Sequence, residues 1–247
     1  MECVHQALKY RESWNQGIKV LFTDAEEVDL QGMKAAYKYN KEIFNDVGLI
    51  LNIESRGPFG PVLLFETSPR NEQLVKLYAN HARYPFAYSI MNMVYQKMPN
   101  GTDMNIVRDS IPGFNFSPIA DINHYHTDLD NIHNISETTI QHYGEQVVPI
   151  IKEYLTNTIY DDKEYLKAEE DLIYFSIPLL SMYHFTKNQY WLLNIGLCLL
   201  LLHLLMKDKN FCWKKCIRQS GIMFAVSLAL IAIGEIIAWL SSLITGA

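Results

Sequence analysis

Residues 18–27 read Ile-Lys-Val-Leu-Phe-Thr-Asp-Ala-Glu-Glu, an apolar run that stops abruptly at adjacent carboxylates. Residues 18–23 are rich in β-branched and aromatic side chains, which predicts a strand. Glu26 and Glu27 lie side by side just beyond it and repel each other, so a bound cation would stabilise them. One of two such acids can bind a metal while its neighbour moves a proton. The alternative interpretation is an acidic loop or the first turn of a helix.

Strands and helices are predicted to alternate through the segment that follows this run. Apolar patterning and turn residues predict further strands at 47–53, 62–65 and 114–119. Helical periodicity predicts helices at 2–15, 30–45, 71–82, 87–97, 103–109 and 138–157. We therefore expect an α/β domain with a mostly parallel mixed sheet flanked by helices.

Acidic and imidazole side chains follow three of the four predicted strands. Glu26 and Glu27 come after the first strand, Glu54 after the second, and His126 in the loop after the fourth. Sites in open α/β sheets form beyond the carboxyl ends of the strands. Carboxylate and imidazole ligands suit zinc, and scattered ligands favour a catalytic over a structural metal site. A simpler interpretation stays open for each, such as an ion pair between Glu54 and Arg56 or an ordinary surface histidine.

Two apolar stretches towards the end of the chain predict a membrane anchor. Residues 190–206 and 221–244 contain 17 and 24 residues, close to the roughly 20 that cross a bilayer. The loop 207–218 carries five positive residues and one negative residue, which predicts a cytoplasmic position. We therefore expect a multi-pass membrane protein whose soluble domain lies on the extracytoplasmic side, extracellular or luminal. A buried helical hairpin of a soluble protein is the alternative.

The predicted organisation has three parts. Residues 1–160 form the α/β domain, 161–189 a charged connector with a membrane-proximal hairpin, and 190–247 two transmembrane helices, which make the lipid bilayer an expected partner. Residues 190–247 carry a net charge of +3 and the whole chain −6, so residues 1–189 carry −9. An acidic domain repels phosphates, and we expect no nucleic-acid partner. The four cysteines are too scattered to predict a disulfide framework.

Six motifs, in this order along the chain, resemble the two-zinc exopeptidases, the family of secreted bacterial aminopeptidases and glutamate carboxypeptidase. They are Leu-Phe-Thr-Asp-Ala-Glu-Glu (21–27), Leu-Asn-Ile-Glu-Ser-Arg-Gly (51–57), Gly-Pro-Val-Leu-Leu-Phe-Glu-Thr (60–67), Thr-Asp (102–103), Ile-Pro-Gly-Phe-Asn-Phe (111–116) and Tyr-His-Thr-Asp-Leu-Asp (125–130). The resemblance covers about residues 15–155. Glu54, where many members have Asp, and the appended spans are most similar to the vacuolar-membrane-protease and endoplasmic-reticulum metallopeptidase branch.

The resemblance implies a membrane-anchored zinc exopeptidase, an aminopeptidase, that hydrolyses peptide substrates with a water activated by two zinc ions. Glu26 is implied as the general base, and Tyr125 as the residue that steadies the tetrahedral intermediate. Glu27 and His126 would bind one zinc ion and Glu54 the other. Asp103 matches a family acid with a structural or supporting role.

Two motifs of that family are missing ahead of the helix at 2–14 in this chain: a His-x-Asp and an Asp-Asp stretch that holds the carboxylate bridging both zinc ions. One zinc ion therefore keeps two of its three usual protein ligands and the other only one. We expect an N-terminally truncated domain that an upstream segment or a separate chain completes. The alternative is a catalytically inactive, peptidase-like binding or scaffold domain. A glutaminyl-cyclase-like reaction ranks below both.

Overall fold

A computed structural model describes residues 1–178, 180–207 and 212–245, and divides the chain into two compact units, Met1–Trp191 and Leu192–Ala247. In the described part, the α-helices are α1 (Glu2–Leu8), α2 (Gln31–Tyr39), α3 (Glu72–His81), α4 (Ser89–Tyr95), α5 (Met104–Val107), α6 (Glu137–Thr156), α7 (Lys187–Lys207) and α8 (Trp213–Thr245). The strands are β1 (Ile50–Ile53), β2 (Phe59–Thr67), β3 (Gly113–Ala120), β4 (Ile173–Ser176) and β5 (Met182–Phe185). Short 3-10 helices lie at Arg11–Ser13, Lys41–Ile43, Ile122–His124 and Thr158–Asp161.

The first unit is built on a three-stranded sheet with the strand order β1-β3-β2. β1 runs parallel to β3, and β2 runs antiparallel to it. The predicted mixed α/β character is confirmed, but the sheet has one parallel and one antiparallel pairing instead of being mostly parallel. The reason is the short link between β1 and β2, since a parallel crossover needs about a dozen residues. A separate antiparallel pair, β4 and β5, lies in the segment 161–189.

Helices cover both faces of this sheet. The face under α3 and α6 presents Val62, Leu64, Phe114 and Phe116. On the opposite face, Leu63 and Phe65 of β2 pack against Tyr95 of α4. A strand that is buried on both faces needs a continuous apolar run, which residues 62–65 supply. Each of these large side chains contributes about 1.5–3 kcal/mol on burial.

The strand predicted at 18–23 is wrong. Residues 17–23 form no helix or strand, and Val20, Leu21 and Phe22 are all exposed. High strand propensity does not make a strand without a neighbouring strand, and this run pairs with none among the described residues. The Lys19 ammonium instead anchors the segment by donating hydrogen bonds to main-chain carbonyls, including those of Ile43 at 2.9 Å and Asn45 at 2.7 Å.

The second unit contains most of α7 and all of α8. Of the described residues, one helix is long and apolar enough to cross a membrane by length and composition, Lys187–Lys207, which includes the predicted span 190–206. The second predicted span, 221–244, lies in α8, but most of its side chains are outside the described part of the structure. Residues 208–211 of the predicted loop are outside it as well. That span therefore stays a prediction.

Candidate active site

The acidic pair Glu26 and Glu27 lies in a turn between the extended segment 17–23 and helix α2. The start of α2 holds this turn in place, because the Gly32 N–H donates a 3.0 Å hydrogen bond to the Asp24 carbonyl. A Cβ atom at Gly32 would come within 2.2 Å of that carbonyl oxygen, so only glycine permits this approach. Ala25, directly before the pair, has left-handed backbone (φ 54°), which costs about 1–2 kcal/mol for a residue other than glycine.

Glu54 is placed by the sheet itself. It directly follows β1, its N–H donates a 2.9 Å hydrogen bond to the Phe116 carbonyl, and its own carbonyl accepts a bond from the Tyr143 hydroxyl. The Asn52 side-chain amide donates to the Glu54 carboxylate at 2.9 Å. Main chain and side chain are therefore both fixed. Gly57 then brings the loop against the end of β3, where a Cβ would meet the Ala120 carbonyl oxygen at 2.0 Å.

Tyr125 and His126 follow β3 and stack on each other with ring centroids 3.8 Å apart. His126 has left-handed backbone (φ 58°), as does Asp121 earlier in the same loop (φ 55°). Strained backbone of this kind clusters at functional sites. The Arg56 guanidinium lies over the Tyr125 ring at 5.5 Å, and it donates to Asn100 at 3.0 Å when the Asn100 amide is oriented with its oxygen towards Arg56. The Glu54–Arg56 ion pair, one alternative from the sequence, is not among the ion pairs of the described residues.

Two of the three predicted metal ligands are in direct contact. His126 Nε2 lies 2.8 Å from Glu27 Oε2, and both side chains are more than half exposed, at 56% and 57%. This contact brings together two loops that lie far apart in the chain, one before α2 and one after β3. Glu54 has no hydrogen bond or ion pair with either of them in the described part of the structure; its side-chain partner is Asn52.

The remaining carboxylates act on each other electrostatically. The pKa of Glu54 is raised to about 7, most of all by burial and then by the charges of Glu26 and Asp103, against the lowering effect of the Asn52 hydrogen bond. The pKa of Glu26 is also raised, most by burial and then by the charges of Glu27 and Asp103. Arg56 lowers the pKa of Glu26 and of Glu54 in part. These acids are therefore close enough to compete for ionisation, as groups that handle protons do.

Asp103 and Arg56 are functional candidates that the sequence singled out only weakly. The Thr23 hydroxyl donates to one oxygen of Asp103, while the other, Oδ1, is buried with no hydrogen-bond partner among the described residues. An unpartnered buried carboxylate oxygen is costly and points to a missing donor or cation. In the sequence, the Thr-Asp pair at 102–103 was the feature that indicated Asp103. For Arg56, it was the position two residues after Glu54.

The donor types of this site fit zinc, but their number is short of a complete site. Glu27 and His126 supply the carboxylate and imidazole that zinc prefers, and Glu54 a further carboxylate. Among the described residues, no group of three or more His, Cys, Asp or Glu side chains is arranged to hold a metal ion. A stable zinc site takes at least three protein ligands, so the described residues by themselves do not make a complete one.

The sequence profile described as Peptidase family M28 matches residues 1–151, more than half of the chain, and the chain belongs to this family. The predicted resemblance to zinc exopeptidases is thereby confirmed. Endoplasmic reticulum metallopeptidase 1 of Mus musculus is 31% identical over 159 residues, which cover 62% of this chain and 18% of the relative. Putative endoplasmic reticulum metallopeptidase 1-A of Caenorhabditis elegans is 28% identical over 184 residues, covering 72% and 20%.

A fungal membrane protease is also similar to this chain over part of its length. Vacuolar membrane protease of Candida albicans (strain WO-1) is 28% identical over 134 residues, which cover 53% of this chain and 15% of the relative. The chain thus spans a fifth or less of the length of these relatives. No solved structure matches the chain significantly.

Proposed function

We propose that this chain forms part of a membrane-anchored zinc exopeptidase, an aminopeptidase, in which Glu27 and His126 bind one zinc ion and Glu54 a second. The observation that carries the proposal is the 2.8 Å contact between Glu27 and His126 beside Glu26. Membership of a peptidase family supports it, since family M28 peptidases are generally zinc-dependent. Ligands from outside the described residues, in the same polypeptide or a separate chain, complete the centre.

Glu26 is the proton carrier in this proposal. Burial and the charge of Glu27 raise its pKa, which makes Glu26 a stronger base and favours general-base catalysis. Glu26 takes a proton from the attacking water as the new C–O bond forms, and returns it to the leaving amine as the C–N bond breaks. Zinc, when bound, supplies a Lewis acid that polarises the scissile carbonyl and lowers the pKa of water.

Tyr125 is the proposed donor to the oxyanion that develops on the substrate. Burial and then the charge of Glu27 raise its pKa, so its hydroxyl keeps its proton at neutral pH and can donate a hydrogen bond. Arg56 over the ring holds Tyr125 in place through a cation–π contact. An ionised Tyr125 would repel the oxyanion instead of stabilising it.

The charge balance of the site favours a substrate amine over a substrate carboxylate. Zinc would offset the charges of its proposed ligands Glu27 and Glu54, but Glu26 and Asp103 are not proposed ligands, and the Arg56 guanidinium offsets their carboxyl charges only in part. The free α-ammonium of a peptide would be attracted to this cluster, and a C-terminal carboxylate would be repelled. This is the basis for proposing an aminopeptidase and not a carboxypeptidase.

Zinc binding tests the proposed metal site directly. Zinc content is measured on the purified full chain in detergent, for the native sequence, for Glu27→Ala and for Asp29→Ala, a matched control at an exposed acid nearby. Bound zinc that is lost in Glu27→Ala and kept in Asp29→Ala supports the proposal. The absence of stoichiometric zinc in the native chain contradicts a working metal site in this chain alone.

Hydrolysis tests the chemistry. The full chain is incubated with zinc and a short peptide, and with the same peptide acetylated at its N-terminus or amidated at its C-terminus. We expect cleavage that needs the free α-amine and tolerates C-terminal amidation. Glu26→Gln should keep its zinc and lose about 100-fold or more in rate, because general-base catalysis typically contributes at least that factor. Equal rates in Glu26→Gln and the native chain would exclude the assigned role.

The proposed topology places the α/β domain on the extracytoplasmic side and the basic loop 207–218 in the cytoplasm. Cys212, which is exposed, reports on that loop. A membrane-impermeant maleimide applied to intact cells should label Cys212 only after permeabilisation, with Cys212→Ser as the control. Labelling without permeabilisation would reverse the orientation.

A second candidate function is a non-catalytic peptidase-like domain that binds peptides or serves as a scaffold. The observation that favours it is the shortage of ligands, since the described residues hold no three-residue metal group. Peptide binding by the full chain that is unaffected by a zinc chelator and by Glu26→Gln, without hydrolysis, would support this alternative.

A further inference from the structure

A row of polar side chains crosses the whole three-stranded sheet beneath the candidate site. It consists of Asn52 in β1, Asn115 in β3 and Glu66 in β2, and we call it the polar row. The strand register pairs Asn115 with Asn52 on one side and with Glu66 on the other. Asn115 and Glu66 are completely buried, with 0% of their surface exposed. The large majority of buried polar groups in proteins have at least one hydrogen-bond partner.

Every N–H of the two asparagine amides is used. Asn115 Nδ2 donates to Glu66 Oε2 at 3.0 Å and to Thr102 Oγ1 at 2.8 Å. Asn52 Nδ2 donates to Asn115 Oδ1 at 3.0 Å and to Glu54 Oε1 at 2.9 Å. The row therefore begins at a buried carboxylate and ends at a proposed metal ligand.

A β-bulge places Glu66 in the row. Leu64 pairs with Phe116, whereas Glu66 pairs with Asn115, so Phe65 is an extra residue in β2 at this point. Without the bulge, alternation would put Glu66 on the same face as Leu64, in the apolar core under α3 and α6. The extra residue turns Glu66 to the face of Asn115. Bulges that re-aim one side chain are common next to active sites.

The chemistry of Glu66 fixes the orientation of both amides. An ionised carboxylate only accepts hydrogen bonds, so Asn115 must turn its NH2 group towards Glu66 and its oxygen towards Asn52. Asn52 must then turn its own NH2 group towards Asn115, and the second N–H of that group reaches Glu54. If either amide flipped, an oxygen would face a carboxylate oxygen. Arg108 forms an ion pair with Glu66 and supplies the positive charge that this buried carboxylate needs.

We propose that the polar row positions the Glu54 carboxylate for metal binding: Glu66 sets the direction of the Asn115 and Asn52 amides, and Asn52 holds Glu54 Oε1. Within the described part of the chain no hydrogen bond or ion pair involves Oε2 of Glu54, so this oxygen could bind the metal. The inference rests on the proposed function only in naming Glu54 as a ligand. Asn52, Asn115 and Glu66 are positioning residues, since they act on the metal through Glu54. Residues that hydrogen-bond to a metal-ligating carboxylate commonly increase the affinity of the site for its metal.

Zinc affinity in a double-mutant cycle tests the proposal. Competition with a chromophoric chelator gives the zinc Kd of the full chain in detergent, for the native sequence, Asn52→Ala, Glu66→Gln, Glu54→Ala and the two combinations with Glu54→Ala. Asn52→Ala and Glu66→Gln should each weaken zinc binding by about tenfold in the native background. In the Glu54→Ala background each should change Kd by less than about twofold, because their effect passes through Glu54.

A matched control separates positioning from general stability. Asn71 is another buried asparagine, outside the polar row; its Nδ2 donates to Thr67 Oγ1 and its Oδ1 accepts from the Leu172 N–H. Asn71→Ala should lower the unfolding temperature and leave the zinc Kd unchanged. If Asn71→Ala weakens zinc binding as much as Asn52→Ala does, or if the Asn52→Ala effect persists without Glu54, the positioning role is overturned.

Hydrogen exchange of the side-chain amides decides the question even if the chain binds no zinc. In a sample labelled with 15N at asparagine side chains, the Asn52 NH2 group should exchange slowly and should be accelerated in both Glu66→Gln and Glu54→Ala. Unchanged exchange at Asn52 in Glu66→Gln would overturn the proposal. Equal zinc Kd values in Glu54→Ala and the native chain, or no zinc binding in either, would count against the proposed function. The exchange data would still decide the role of the polar row.

Discussion

The two halves of the candidate site are built in opposite ways. Glu54 follows a strand of the sheet, and its carboxylate is held by Asn52 at the end of the polar row. Glu27 and His126 lie on two loops, more than half exposed, and are joined by one 2.8 Å contact between Oε2 and Nε2. The first half is fixed by a chain of part-buried and buried hydrogen bonds, and the second by a contact that water screens.

This difference shows which half depends on a bound metal for its geometry. An exposed ion pair contributes at most about 1 kcal/mol, too little to hold two loops against their own entropy. Glu54, in contrast, is held by the Asn52 amide, whose own direction is fixed by the buried Asn115 and Glu66. We infer that Glu54 is preorganised and that Glu27 and His126 acquire their final geometry when further ligands and zinc are present.

The largest expected effect is on the buried half. Arg108→Met removes the partner of the fully buried Glu66 and leaves a carboxylate without its cation, which should lower the free energy of unfolding by about 3–5 kcal/mol. Urea denaturation of the full chain in detergent, followed by tryptophan fluorescence, measures this loss. Arg83→Met, which breaks the largely exposed Arg83–Glu145 pair, is the control and should cost less than about 1 kcal/mol. Equal losses would show that the polar row is no more tightly held than the surface.

The second prediction concerns pH and the same half. The pKa of Glu54 is raised from 4.5 to about 7 in the folded chain, so between these values the folded state holds a proton that the unfolded state has lost. Stability should therefore fall as the pH rises from about 4.5 to about 7, by up to about 3 kcal/mol from this group. Glu54→Gln should flatten this part of the profile, measured with zinc removed by a chelator. A native profile that rises over this range, with no difference in Glu54→Gln, would contradict the raised pKa.

The smallest effect is expected in the exposed half. A double-mutant cycle of Glu27→Ala and His126→Ala should give a coupling energy below about 1 kcal/mol in the metal-free chain. Thermal or urea unfolding of the four variants measures it. A coupling of several kcal/mol would mean that this pair is preorganised without metal, and the contrast between the two halves would no longer hold.

Much of the sheet could be predicted from residue patterns, and its pairing could not. The predicted strands at 47–53, 62–65 and 114–119 overlap β1, β2 and β3, because strongly apolar runs bounded by turn residues leave few other solutions. The strand predicted at 18–23 is wrong for the converse reason: propensity is local, while a strand needs a partner. The evenly mixed sheet follows from the short link between β1 and β2, a constraint that apolar patterning does not contain.

The candidate site also has a part that residue patterns predict and a part that they do not. Glu27 and His126 were predicted as ligands of one zinc ion from their motifs, and the structure brings them together; their role as ligands stays a prediction. The polar row was missed: Asn52, Asn115 and Glu66 each lie within a family motif, but nothing in those motifs assigns them a role or shows that they meet. Glu66 sits in an otherwise apolar run, and that exception was the available signal.

The sequence by itself determined the α/β class, the family and the chemical types that can bind zinc, because these follow from local patterning and from residue identity in order. Only the tertiary structure decided which acids lie close together, which of them are buried, and that a bulge at Phe65 turns Glu66 towards Asn115. Register and burial depend on pairing between distant segments, and they set the environment of each carboxylate. Glu26 and Glu27, the adjacent acids after the apolar run, differ in this environment. The surroundings of Glu26 raise its pKa, whereas Glu27 contacts His126.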